Sequence, residues 1–139
     1  MIRKALVTGA EGFIGSHLVE ALLNQGISVR AFVLYNSFSS IGWLDKLPVS
    51  LKKEIEIIPG DIRDAQRIQE AMTGMDAVFH LAALVSIPYS YYSPASYQAV
   101  NIQGTLNVLE AGKKIGNQRL LIVSTSEVYG TARYIPIDE

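Results

Sequence analysis

The chain has 139 residues, 49% of them hydrophobic and 18% charged, which is enough apolar material for one domain with a real core. Its formal net charge is −1 and its 12 basic residues form no run or stripe, which speaks against nucleic acid or an anionic membrane as partner. With no cysteine, disulfides and thiolate metal sites are excluded, and His17 and His80 have no ligand-like spacing, so no metal site is expected.

Short apolar runs alternate with segments of helical period, the pattern of βαβ units around a parallel sheet. Ala5-Leu6-Val7 forms the first strand. From Gly12 the period becomes helical, with Ile14, Leu18, Ala21 and Leu22 on one face and Gly26 as the stop. Val29 to Leu34 is the second strand, and residues 35–53, with Gly42, Trp43 and Pro48, form a loop holding a short helix. Ile55 to Ile58 is the third strand. Asp64 caps a helix whose inner face is Ile68, Ala71 and Met72, closed by Gly74.

Ala77 to Leu81 is the fourth strand, and residues 85–94, rich in serine, tyrosine and proline, read as a long functional loop. A long helix follows from Ala95 to Ile115, and Leu120 to Val123 is the fifth strand. That helix is apolar on two sides: Val100, Gly104, Val108, Ala111 and Ile115 on one, Ile102, Leu106 and Leu109 nearly opposite. Two apolar sides call for two partners, the sheet and a second subunit or further chain. The expectation is an α/β, Rossmann-type doubly wound parallel sheet of strand order 3-2-1-4-5, incomplete after strand five, as one domain over residues 1–139. The apolar stretch from Ala77 to Val85 falls far short of the ~18 residues of a membrane span. Met1-Ile2-Arg3-Lys4 opens no secretory leader, so a cytoplasmic location is expected.

Thr8-Gly9-Ala10-Glu11-Gly12-Phe13-Ile14-Gly15 leaves a strand and opens a helix. In that context Gly9 permits the tight turn, Gly12 lets the backbone approach a pyrophosphate, and Gly15 lets the helix pack on the strand. The helix N-terminus offers unpaired N–H groups and partial positive charge to the phosphates of NAD or NADP. An acid about twenty residues on would select NAD, but none stands between Glu20 and Asp45; the second strand ends in Leu34-Tyr35-Asn36-Ser37. No arginine waits for a 2′-phosphate either, since Arg30 sits inside the strand, and the choice stays open.

Asp61 follows the third strand, where it either accepts from the adenine amino group or closes a turn. Ala82 and Ala83 follow the fourth, small enough for a cofactor to lie against the backbone, and His80 reads as a core residue at a strand end. Ser124-Thr125-Ser126-Glu127-Val128-Tyr129-Gly130 ends the fifth strand, at the edge where open α/β sheets bind ligands. Its hydroxyls and carboxylate suit a sugar oxygen and a general base. The same spacing also suits a capping residue with a first-turn glutamate.

These segments, with Gly60-Asp61-Ile62-Arg63-Asp64, His80-Leu81-Ala82-Ala83 and Asn101-Ile102-Gln103-Gly104-Thr105, resemble the extended short-chain dehydrogenase/reductases of the nucleotide-sugar epimerase/dehydratase branch. The resemblance implies cofactor contacts from Gly9, Gly12, Phe13, Ile14, Gly15, Tyr35, Asn36, Asp61, Ile62, Leu81, Ala82 and Ala83. Thr125-Ser126-Glu127 resembles the triplet of the 4,6-dehydratases, where 4-epimerases usually carry no acid at the position of Glu127. It implies that Thr125 binds the sugar C4 oxygen, that Glu127 removes the C5 proton, and that Ser126 stands where dTDP-glucose dehydratases place an aspartate.

The stretch from Tyr35 to Asp45 resembles a bacterial subgroup thought to act on nucleotide-linked N-acetylglucosamine, carried on UDP or GDP, and the family's usual dimer implies a contact through helix 95–115. The family's Tyr-x-x-x-Lys pair is absent: Arg133 lies four residues after Tyr129, and Asp138 four after Tyr134. This 139-residue chain is therefore expected to bind cofactor weakly at best and to turn nothing over. Rival readings are a 4-epimerase or sugar reductase, a non-catalytic dinucleotide sensor, and a scaffold.

Overall fold

The structure, a computed structural model, describes residues 1–116 and 119–138. Five parallel strands form one sheet in the order β3-β2-β1-β4-β5, as expected: β1 Lys4–Thr8, β2 Ser28–Leu34, β3 Ile55–Gly60, β4 Ala77–His80 and β5 Arg119–Ile122. The order reverses between β1 and β4, so a crevice opens at their carboxyl ends.

Alternation along the strands feeds two cores. Ala5 and Val7 of β1, with Val29, Ala31 and Val33 of β2, pack under Val19, Leu22 and Leu23 of α1 (Phe13–Asn24). Leu6, Phe32 and Val78 point the other way, against Ile68, Ala71 and Met72 of α3 (Ala65–Met72) and against Val108 and Ala111. Both faces are covered at β1, β2 and β4, which is why these strands read as nearly unbroken apolar runs, while β5 is largely exposed. Arg30 is the exception inside β2. Its Nε donates to Glu56 on β3, and its Nη1 donates to the carbonyls of Ala71 and Thr73 at the end of α3.

Asp64 caps α3 as expected, its carboxylate accepting from the Arg67 N–H at 3.0 Å. The long helix is continuous from Pro94 to Ile115, as α5 (Pro94–Tyr97), π-helical turns over Gln98–Gly104, and α6 (Thr105–Ile115). One side is buried through Gly104, Val108 and Ala111, while Ile102, Leu106 and Leu109 are exposed.

Three local expectations need correction. Residues 85–94 are not all loop: α4 spans Ile87–Tyr92, with Pro88 in its first turn, where a missing N–H does no harm. The span from 35 to 53 holds two short helices, a 3-10 turn over Gly42–Lys46 and α2 over Val49–Lys52. On α1 the inner face is Gly15, Ser16, Val19, Leu22 and Leu23, with Ile14 and Ala21 exposed. Gly15 sets that rotation, because any larger residue there would strike the turn before the helix.

Candidate dinucleotide site

The glycine turn joins β1 to α1 at the crevice. Gly9 has φ +66°, and a Cβ on it would stand 2.8 Å from the Ala82 nitrogen. It therefore needs glycine twice, for its left-handed backbone and for the close approach of the segment leaving β4. A Cβ on Gly15 would lie 2.2 Å from the Gly9 carbonyl oxygen, so this glycine packs the helix on the turn itself rather than on the strand. Gly12 has ordinary extended angles and is the N-cap of α1, with no side chain capping the helix. The first intrahelical bond runs from the Ser16 N–H to the Gly12 carbonyl. The N–H groups of Phe13, Ile14 and Gly15 precede it and have no carbonyl within the helix to meet. Phe13 and Ile14 are 60% and 65% exposed at this mouth. These features fit a diphosphate: backbone donors, a helix dipole, no acid in the first turn, and a hollow that a methyl group would fill.

The crevice wall is held by a buried polar chain. Thr8 Oγ1 accepts the N–H groups of Leu81 and Ala82, each at 3.2 Å, and lies 2.8 Å from His80 Nδ1. With its lone pairs occupied, the hydroxyl donates to Nδ1, so the imidazole carries its proton on Nε2. Nε2–H then donates to Thr105 Oγ1 at 3.0 Å, and that hydroxyl donates to the Asn101 carbonyl. The Asn101 amide in turn grips both the N–H and the C=O of Leu84, at 2.8 and 2.9 Å. Burial holds the His80 pKa below its usual value, in keeping with a neutral ring inside the core. His80 is thus a core residue, as expected.

The remaining predicted contacts line the same edge with different freedom. Tyr35 is 70% exposed, its N–H given to the Gly60 carbonyl. The Asn36 amide is committed within its own loop, accepting from Phe38 and Ser40 and donating to the Leu34 and Ser40 carbonyls. The Asp61 carboxylate closes its turn by accepting from the Arg63 backbone and guanidinium, which lowers its pKa. The Ile62 side chain is buried against Gly104 and its carbonyl accepts from the Asn107 amide, leaving only its N–H for a ligand. Ala82 is half-buried beside Gly9, and Ala83 is exposed.

Thr125, Ser126 and Glu127 follow β5, two strands from the glycine turn on the same sheet edge, and all three are exposed. Thr125 Oγ1 accepts the Glu127 N–H at 3.3 Å and caps a 3-10 turn over Ser126–Tyr129. Tyr134 donates its hydroxyl to Asp138, which raises its pKa, the wrong direction for a base.

Glu11 was missed from sequence. Its Oε1 accepts the Leu34 N–H at the end of β2, 3.0 Å away, and its carbonyl accepts the Trp43 N–H. Its Oε2 is shielded from solvent and has no partner among the described residues. An acid inside the glycine turn was the available signal.

Fold and turn together define a Rossmann-type dinucleotide-binding domain. The family model described as GDP-mannose 4,6 dehydratase matches residues 6–139. The chain belongs to that family, within the extended short-chain dehydrogenase/reductases. It is 35% identical to the UDP-glucose 4-epimerase of Mus musculus, over 99% of this chain and 42% of that enzyme. It is 36% identical to the UDP-N-acetyl-alpha-D-glucosaminuronate decarboxylase of Bacillus cytotoxicus, over 94% of this chain and 39% of that enzyme. A UDP-glucose 4-epimerase from Stenotrophomonas maltophila, solved with NAD and formylated UDP-arabinopyranose, superimposes with TM-score 0.78 at 31% identity, over 97% of this chain and 40% of that one. The chain thus spans about two fifths of the length of these proteins. Among the described residues no helix is long and apolar enough to cross a membrane.

Proposed function

We propose that this chain is the cofactor-binding portion of a cytoplasmic NAD(P)-dependent nucleotide-sugar 4,6-dehydratase. The observation that carries the reading is the juxtaposition of a phosphate-ready glycine turn with Thr125, Ser126 and Glu127 on one sheet edge. Gly9 through Gly15 would hold the diphosphate, and Ala82 and Ala83 would let the dinucleotide lie against the backbone. Bound there, the nicotinamide supplies reversible hydride transfer to and from the sugar.

Thr125, Ser126 and Glu127 serve the dehydration, while the base that takes the C4 hydroxyl proton during oxidation would come from the rest of the full-length protein. The Thr125 hydroxyl donates to the sugar C4 oxygen. Once C4 is a ketone the C5 proton is acidic; the Glu127 carboxylate removes it, and the C6 hydroxyl, protonated as its C–O bond breaks, leaves as water. Ser126 has no proton acidic enough to drive that departure by itself, so Glu127 also carries the proton to the leaving oxygen. The substrate we favour is N-acetylglucosamine linked to UDP or GDP. The exposed Ile102, Leu106 and Leu109 suit a homodimer through the long helix.

A 4-epimerase is the second reading, favoured by the 35% identity to the mouse epimerase. The acid at position 127 weighs against it, because epimerisation at C4 requires no proton abstraction at C5. Product analysis separates the two. The full-length protein, given UDP- and GDP-N-acetylglucosamine with NAD or NADP, is expected to form a 4-keto-6-deoxy sugar. Glu127→Gln is expected to lower that rate by about 10²–10⁴-fold. A C4 epimer as sole product would overturn the dehydratase reading.

A further inference from the structure

The acid that usually selects NAD at the end of β2 is absent, yet a carboxylate stands there all the same. Glu11 reaches from the glycine turn to the Leu34 N–H, which fixes Oε1 at the carboxyl end of β2. Its backbone is pinned from the other side by the Trp43 N–H, and a Cβ on Gly42 would lie 2.5 Å from the Glu11 carbonyl oxygen. The side chain is therefore held at the carboxyl end of β2, the place from which an acid ordinarily binds the adenosine ribose in a dinucleotide fold.

Its second oxygen is the one described buried side-chain polar atom without a partner. A shielded acceptor of this kind binds a donor strongly and makes any negative charge beside it costly. Among the described residues Glu11 forms no ion pair. Arg30 is committed to Glu56 and to the end of α3, Lys46 lies over the Trp43 ring, and the Asn36 amide closes its own loop.

We propose that Glu11 is the specificity-determining carboxylate of the site: the carboxylate at the end of β2 accepts the ribose 2′-hydroxyl of NAD, and its charge repels the 2′-phosphate of NADP. The inference rests on the dinucleotide reading above and deepens it. It assigns to the glycine turn a discrimination that the end of β2 ordinarily performs.

The test is calorimetric titration of the full-length protein with NAD, NADP and 2′-deoxy-NAD, which reads binding without turnover. NAD is expected to bind at least about tenfold more tightly than either of the other two. In Glu11→Gln, which keeps the acceptor for Leu34 but loses the charge, the NAD-over-NADP ratio is expected to fall below about threefold. Glu54→Gln, which removes an equal charge at the opposite end of the sheet, is expected to leave the ratio unchanged. Equal binding of NAD and NADP by the unaltered protein, equal binding of NAD and 2′-deoxy-NAD, or an unchanged ratio in Glu11→Gln would each overturn the assignment to Glu11 while sparing the dinucleotide reading. Failure of all three dinucleotides to bind would overturn both. The comparison with 2′-deoxy-NAD needs no variant, so it stands even if Glu11→Gln does not fold.

Discussion

Thr8 Oγ1 and His80 Nδ1 meet at 2.8 Å in the sheet interior, on paired positions of β1 and β4 where the two strands part. The threonine hydroxyl can donate to that nitrogen only while the nitrogen is unprotonated. A second proton on the ring would put two donors face to face and bury an unpaired charge.

Stability should therefore depend on pH through His80. Its folded pKa lies below the ordinary 6.5, whereas the unfolded chain takes up a proton near that value. The unfolded state binds more protons in the interval between them, so the contribution is complete above about pH 6.5 and is lost as pH falls through it. Urea midpoints measured from pH 8 to pH 5 are expected to fall across this window. His80→Gln should flatten that part of the curve, and an unchanged slope would show that the imidazole is not the group responsible. Thr8→Val, which strands the Ala82 N–H and leaves Leu81 its bond to the residue-8 carbonyl, should cost about 1–3 kcal/mol at neutral pH.

Gly9 and Gly12 of the turn should separate by role, with Gly26, beyond the far end of α1, as a reference. Gly9→Ala meets both a positive φ and a backbone atom at 2.8 Å, and is expected to destabilise by about 2–4 kcal/mol. Gly26→Ala has φ +74° but open space around it, and should cost only about 1–2 kcal/mol. Gly12→Ala has ordinary angles and a single contact at 3.2 Å, so its unfolding midpoint should barely move. If Gly12 is where a pyrophosphate approaches, the same variant should lose dinucleotide affinity by tenfold or more. Retained affinity would place the phosphate elsewhere.

Arg63 governs the charge state of Asp61. The guanidinium bond is the largest cause of the lowered carboxyl pKa, and partial burial pulls the other way. The lowered value means that this contribution to stability is present above the ordinary 3.8 and is lost as pH falls through the folded pKa. In Arg63→Ala burial is opposed only by the residue-63 backbone N–H, which still donates to the carboxylate, so the Asp61 pKa should rise to about its ordinary value. Carbon-detected NMR titration of the carboxyl reads this directly.

Asp64→Ala should cost about 1 kcal/mol through loss of the cap on α3, read as a lower urea midpoint.

Sheet order and both cores were legible because a strand buried on both faces has to be apolar throughout, and Ala5-Leu6-Val7 and Val29 to Val33 are nearly so. The helix caps at Asp64 and the glycine turn were legible for a related reason, since each obeys a rule written within eight residues. What escaped notice depends on partners far apart in the chain. Nothing local says that Asn101 reaches Leu84, that Thr105 continues a chain begun at Thr8, or that Glu11 turns back to β2. The face of α1 was misassigned because Gly15, not the apolar period, decides how that helix lies on the turn. The α4 segment was hidden by its shortness and its tyrosines, whose exposure leaves no period to follow.

The amide of Asn101 ties the backbone of Leu84 to the wide π turns of the long helix, and Thr105 ties those turns to the sheet interior. The strip of chain leaving β4 cannot lift away by itself: any displacement has to take a helix turn with it. Pressure applied to the solvent side of that helix, where Ile102 lies, thus has a rigid route to the floor beneath Gly9.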